Sequence, residues 1–332
     1  MDLMRNLTRL VGAFGPSGCE NQVSQVIEEL AGPYVDEISR DTLGNLICRK
    51  KGSGTRVMLC AHMDSIGLVA THIDEAGFVH VGALGGVNAA KALYAPVRFQ
   101  NGAVGLVCAE SGADLEKLKV SDILIDIGAA NGEEAKKLVQ VGDAAVYNAP
   151  IATAAGRVIA PYLDDRIACL VLLMAMEQLG ETDNDLYFVF SAQEELGARG
   201  ARTAAWAIDP DYGVAVDVTA ADDEPGSKHR ASSLCGRGAA VKVMDDSVVC
   251  SPPLVEKLMT LAGERGIPAQ RDVLRGGGTD AGPIQTVRSG VRTGGISIPC
   301  RYIHTPTEMV DLSDVRACAD LTAALAAGRF EK

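Results

Sequence analysis

The sequence predicts an α/β protein: one layered domain split between residues 1–65 and 157–332, with a small β-rich module inserted at 66–156. Two observations carry this. Beyond "GRVIAPYLDDR", helix-like and strand-like stretches alternate to the end of the chain, the pattern of a largely buried sheet covered by helices. Between about 67 and 157 the texture is different. There "GFVHVG", "APVRFQ", "AVGLVCA", "DILIDIG" and "DAAVYN" are short and β-prone, and Gly, Asn and Asp separate them. A length of 332 residues fits roughly two domains.

Each element follows from local chemistry. "SGCE" at 17–20 has the S-x-x-E form of a capping box, and the helical "NQVSQVIEEL" follows it. "NLICRK" (45–50) and "RVMLCAHMD" (56–64) read as strands. Inside the module only "GEEAKKLV" (132–139) looks helical. After it, "RIACLVLLMAMEQL" is a helix, "LYFVFS" a strand, "ARTAAWA" a helix and "YGVAVDV" a strand. "SPPLVEKLMTLAGERG" is a helix, "RTGGISIPC" contains a strand, and "SDVRACADLTAALAAGRF" closes the chain as a helix. The longest apolar run, "IACLVLLMAM" (167–176), falls far short of the roughly 20 residues that span a bilayer. It is predicted to be a core helix.

Composition narrows the function. With 47% hydrophobic residues and a mean hydropathy of +0.12, the chain can bury sizeable cores. A formal charge of −12 argues against nucleic-acid or anionic-membrane partners. The nine cysteines are odd in number, contain no C-x-x-C pair, and sit mostly in apolar runs. Buried reduced thiols in a cytoplasmic protein are expected, rather than a disulfide framework or zinc ribbon. "MDLMRNLTRL" has no apolar run of signal-peptide type.

The chemistry is concentrated where apolar runs stop. "VMLCAHMD" finishes in His62 and Asp64, "VIAPYLDDR" in Asp164 and Asp165, and "LYFVFSAQEE" in Glu194 and Glu195. "YGVAVDV" carries Asp217, and "GISIPCRYIH" ends in His304. In open α/β sheets the ligand crevice lies beyond the carboxyl ends of the strands. One such group would be a solvated cap. Five predicted strand ends carrying imidazoles and carboxylates favour a metal site. Imidazole and carboxylate without thiolate suit catalytic Zn²⁺, Co²⁺ or Mn²⁺. His62 and Asp64, two apart on a strand, share a face, so Asp64 can orient the imidazole. Two ions would need a bridging carboxylate, for which "LDDR" offers Asp164 or Asp165 equally well. By contrast His72 and His80 alternate with apolar residues, and His229 lies in a polar loop. No catalytic role is expected for these three. "RGGGTDAG" (275–282) lacks the Lys-Ser/Thr of a phosphate loop and reads as a turn shaping the pocket.

Six motifs in order, "AHMDSIG", "LDDR", "SAQEELGARGA", "AVDVTAADDEPG", "GGGTDAG" and "IPCRYIHTPTEMV", resemble the glutamyl and tetrahedral aminopeptidases, dinuclear metallopeptidases of which some were once labelled endoglucanases. The resemblance runs from about residue 15 to 312. It implies a three-layer α/β/α zinc-exopeptidase-like domain and two divalent ions per subunit, Zn or Co ahead of Mn. His62 and Asp217 would hold one ion, Glu195 and His304 the other, and Asp164 would bridge them. Asp64 would support His62, and Glu194 would act as general base. The Asp164–Asp165 peptide would be cis. The resemblance also implies short-peptide substrates and an inserted module that dimerises, with tetrahedral dodecamers built from the dimers. Ser65 and Leu68 depart from the acidic and aromatic residues common in relatives; both are expected beside the site, where the departure leaves substrate preference open but not the chemistry. Two alternatives carry less weight. A glycoside hydrolase has no need of His62 and His304 and would want more than 4% aromatic residues for sugar stacking. A non-catalytic peptide-binding relative would be expected to lack a ligand or the base.

Overall fold

The computed structural model describes residues 1–227, 229 and 231–330. At its centre four parallel strands lie side by side in the order Asp185–Ser191, Arg56–His62, Tyr212–Ala220 and Arg292–Arg301. Their residues are buried almost throughout, as expected when helices cover both faces of a parallel sheet. Antiparallel strands extend the sheet on both sides. Leu46–Lys50 and Glu37–Arg40 continue it past Asp185–Ser191. Glu308–Asp311, Arg157–Ala160 and Ala152–Ala154 continue it past Arg292–Arg301. The paired strands Ala239–Met244 and Ala269–Val273 branch from Arg292–Arg301 as well.

Alternate residues of one strand enter different cores, because successive side chains leave a strand on opposite faces. Val57, Leu59 and Ala61 join the large cluster under helices Leu163–Gln178 and Leu312–Ala327. Met58 and Cys60 join a smaller one under Arg199–Ile208 and Ala281–Gln285. The apolar run 167–176 is buried along its whole length, which makes Leu163–Gln178 the central core helix. Each fully buried Leu in it contributes about 1.5–3 kcal/mol of transfer free energy. Among the described residues, no helix is long and apolar enough to cross a membrane.

Between the His62 strand and Arg157–Ala160 the chain forms a closed six-stranded barrel, with strands from Gly67–Ile73 through Ala144–Tyr147. Its core is separate and holds Leu68, Val97, Phe99 and Ile125. A short helix at Ala89–Ala92 accompanies the expected Gly132–Leu138. Ala152–Ala154 already pairs within the large sheet.

Three local expectations are corrected. The "SGCE" segment does not cap the second helix. Asn21–Ala31 begins without any side-chain cap, and both Ser17 and Glu20 are spent elsewhere. The strand read as 56–64 stops at His62, which leaves Asp64 in the following loop. The Asp164–Asp165 pair does not end a strand. Arg157–Ala160 stops at Pro161, which has no N–H for the ladder, and Tyr162 turns the chain at φ +60°. The two aspartates then open the helix Leu163–Gln178 with non-helical dihedrals.

Candidate metal centre

The parallel strands deliver their carboxyl ends to one cavity of about 890 Å³. His62 is the last residue of its strand, and Glu194 and Glu195 follow Ser191 in a tight loop. Asp217 lies near the end of Tyr212–Ala220. His304 lies past Arg301, where the backbone is left-handed at Tyr302 and His304. His62, Asp164, Glu194, Glu195, Asp217 and His304 all line the cavity. Asp64 sits behind them, fully buried, with a carboxylate oxygen 3.3 Å from His62 Nδ1.

Ligand atoms fall into two groups that share Asp164. His62, Asp164, Asp165 and Asp217 offer atoms within 4.8 Å of one another, and so do Asp164, Glu195 and His304. Asp164 Oδ1 lies 3.0 Å from His62 Nε2, while Oδ2 lies 3.2 Å from His304 Nε2. Glu195 Oε2 is 3.1 Å from that same His304 nitrogen. Asp165 faces back towards the strand, where its Oδ2 accepts the His62 backbone N–H at 3.2 Å. The Asp164–Asp165 peptide is cis.

The electrostatics call for cations. Burial pushes the carboxyls of Asp165, Asp217 and Glu194 well above the ordinary range, and neighbouring carboxylates add to the effect. His304 shows the reverse. Burial opposes its charge, but hydrogen bonds to Asp164 and Glu195 outweigh this and push the imidazole up to about 11. The hydrogen bonds from His304 and His62 in turn hold Asp164 well below its usual value despite its burial. Glu195 Oε1 is buried with no hydrogen-bond partner among the described residues. Six clustered carboxylates, Asp64, Asp164, Asp165, Glu194, Glu195 and Asp217, against two imidazoles are costly to bury unless positive charge joins them. The residues present therefore fit divalent metal by donor type and by charge.

Two further carboxylates, whose roles were not legible in the sequence, brace the site: Glu308 through the backbone of two candidate ligands, and Asp280 through side chains of the strands beneath. Glu308 is buried and accepts the N–H groups of Asp164 at 2.8 Å and His304 at 3.0 Å. Asp280, from the Gly-rich turn, accepts the Ser191 hydroxyl and the Cys60 thiol. The barrel also reaches the site. A Cβ built on Gly86 would lie 2.6 Å from His304 Nδ1, so only glycine fits there without displacement. Glu308 lay within a quoted motif, yet its partners are amides brought close only by folding. Gly276 to Thr279 line the cavity, so the turn does shape it. Ser65 and Leu68 do not line it. Ser65 is buried against Gly15 O, and Leu68 packs in the barrel core. His72 and His80 pair across two barrel strands, and His229 is exposed beside Asp222.

A cavity floored by two imidazoles and clustered carboxylates, at the carboxyl edge of a parallel sheet, fits the class of metal-dependent hydrolases. The M42 glutamyl aminopeptidase family matches residues 44–321, and the chain belongs to that family. It is 43% identical to a putative aminopeptidase of Acetivibrio thermocellus, over 96% of this chain and 97% of that protein. An aminopeptidase from the archaeon Desulfurococcus kamchatkensis superposes with a TM-score of 0.93 at 35% identity, covering 98% of this chain and 94% of that one. The TET1 peptidase of Pyrococcus horikoshii, which can assemble into a tetrahedron or a large octahedral shell, gives a TM-score of 0.88 at 29% identity, covering 98% and 99%. The chain is an aminopeptidase, a peptide hydrolase acting as an exopeptidase, and the endoglucanase alternative has less support.

Proposed function

We propose that this aminopeptidase removes N-terminal residues from short peptides with two divalent ions per subunit. His62 and Asp217 would hold one ion and Glu195 and His304 the other, with Asp164 able to offer one carboxylate oxygen to each. The observation that most supports this reading is Asp164 itself, which turns one oxygen to each imidazole at 3.0 and 3.2 Å. When bound, the ions polarise the scissile carbonyl and lower the pKa of the attacking water. Glu194 takes the water's proton and later delivers it to the leaving amine. Its burial among Asp280, Asp217 and Glu195 makes it a stronger base than a solvated glutamate. Asp64 orients His62 through Nδ1. The remaining carboxylates favour the substrate's free ammonium, which restricts cleavage to N-termini. Zinc or cobalt, with manganese behind them, suits this thiolate-free donor set.

The organisation we infer is a three-layer α/β/α domain of residues 1–65 and 157–332 with an inserted module at 66–156. The separate barrel core and the two clusters on opposite faces of the sheet support it. By analogy with the shell-forming relative, the chain assembles at least as a dimer through that module and builds a tetrahedral dodecamer. Nine free cysteines support a reducing, cytoplasmic setting, and burial pushes the Cys48 thiol up to about 12, keeping it protonated. The test is a panel of aminoacyl chromogenic amides, assayed after metal stripping and after re-addition of Zn²⁺, Co²⁺ or Mn²⁺. Activity should vanish and return with metal, at two ions per subunit by elemental analysis. Full activity in verified metal-free protein overturns the proposal. Light scattering that shows an active monomer overturns the assembly alone.

A further inference from the structure

Three consecutive backbone N–H groups, at Gln193, Glu194 and Glu195, all leave their own loop to bond with buried carboxylates. Glu194 N and Glu195 N donate to the two oxygens of Asp64 at 2.9 and 3.2 Å. Gln193 N donates to Glu20 Oε1 at 3.1 Å, and Gly18 N donates to the same oxygen at 2.7 Å. Ser17 Oγ donates to Asp64 Oδ2 at 2.6 Å. The segment "SGCE" therefore supplies one of the two carboxylates and a hydroxyl that fixes the other. Gln193 is left-handed at φ +56°, a conformation that a non-glycine residue keeps only when its surroundings hold it.

The turn is itself anchored from behind. The buried Arg166 guanidinium donates to Leu10 O at 2.8 Å and to Gly15 O at 2.9 Å, and Ser17 N donates to Ser65 O at 3.2 Å. Beyond the grip, the loop closes on itself. Gly197 N and Ala198 N donate to Glu194 O at 2.8 and 2.7 Å. The carboxylates of Glu194 and Glu195 thus emerge from a backbone clamped at its amides on one side and at its carbonyl on the other. Charge-assisted bonds of this kind are about twice as strong as neutral ones and fix direction as well as distance.

We propose that Glu20, assisted by Ser17, is a positioning residue for the catalytic loop, holding Gln193 left-handed so that Glu194 meets the attacking water. This rests on the reading of Glu194 as the base. Without the Glu20 carboxylate, Gln193 N–H loses its partner and the loop can relax by peptide rotation. Misplacing a reacting group by about 1 Å costs on the order of 10²-fold in rate.

The test compares metal-loaded wild type with Glu20→Ala, Glu20→Gln, Ser17→Ala and Glu194→Gln. Glu20→Ala should keep its metal and a near-normal KM while kcat falls by roughly 10–100-fold. Hydrogen exchange in the peptide covering 190–198 should accelerate. Glu20→Gln still presents an oxygen to Gln193 N, so it should recover most of the turnover and of the protection. Ser17→Ala should show a smaller fall in kcat, since Asp64 keeps its backbone donors. Unchanged kcat and exchange in Glu20→Ala overturns the proposal. So does a loss of metal, thermal stability and kcat together that glutamine fails to rescue. If the alanine variant does not fold, Glu20→Gln carries the test, and a folded, metal-loaded glutamine variant as slow as Glu194→Gln overturns the grip. Full turnover in Glu194→Gln would instead refute the base assignment, while loop exchange in Glu20→Ala still reports on the clamp.

Discussion

Gly86 is one point where the inserted module touches the candidate metal centre, and Gly86→Ala puts a number on that contact. The added Cβ would stand 2.6 Å from His304 Nδ1 and 2.9 Å from its Cε1, where ordinary contact begins at 3.4 Å. Ring or loop must therefore yield by about 0.8 Å. The ring cannot retreat freely, because its Nε2 faces Asp164 Oδ2 at 3.2 Å and Glu195 Oε2 at 3.1 Å, and Glu308 holds its backbone. Metal–ligand distances tolerate only about ±0.2 Å. Disturbing a group that orients a ligand typically costs about 10–100-fold in metal affinity. Gly86→Ala should lose affinity in that range at one of its sites, measured by titrating stripped protein with Zn²⁺ or Co²⁺, and excess metal should partly restore turnover. Gly82→Ala is the control from the preceding strand, since its Cβ would meet Thr71 at an ordinary 3.4 Å. It should leave metal affinity unchanged. Wild-type affinity and turnover in Gly86→Ala would refute the idea that the barrel braces His304.

Glu194→Gln should retain metal and bind peptide while kcat drops by about 10²–10⁴-fold, with no response to added metal. Glu195→Gln should instead weaken one site and respond to excess metal, and the reverse pattern in elemental analysis and kinetics would exchange the two assignments. His62→Ala and His304→Ala should each lower metal content, because a ligand is removed from the coordination shell. Away from the site, Arg49 grips Asp185 with two hydrogen bonds of 2.8 and 3.0 Å. Burial of Asp185 opposes its charge, yet this guanidinium holds the carboxyl below its ordinary value. The resulting stabilisation is present above the unfolded pKa of about 3.9 and is lost as pH falls through the lower folded value. Asp185→Asn should therefore cost roughly 1.5–3 kcal/mol in denaturant melts at pH 7, and the difference from wild type should shrink as pH falls below the unfolded value of about 3.9.

Much of this protein is written locally. Apolar stretches such as 167–176 and 186–191 leave little choice of element, because length and β-branched or aromatic content separate a core helix from a buried strand where periodicity does not. His62, Glu194, Glu195 and His304 stand at or just past strand ends, and Asp217 three residues before the end of a strand that runs on to Ala220; the parallel sheet carries them all to one edge. Other features were decided only by tertiary structure, and each involves partners distant in sequence. Ser17 and Glu20 have the spacing of a helix cap, but the Asp64 carboxylate and the Gln193 amide, brought near by folding, claim them instead. Glu308 grips two amides, one of them 144 residues away, and backbone donors carry no residue identity that a sequence could display. Gly86 looks like any loop glycine until His304 is packed against it. Side-chain type and spacing can specify which groups carry chemistry. Which oxygen faces which imidazole, and which buried carboxylate holds the loop, follow from packing, where each buried N–H must find an acceptor wherever the fold has placed one.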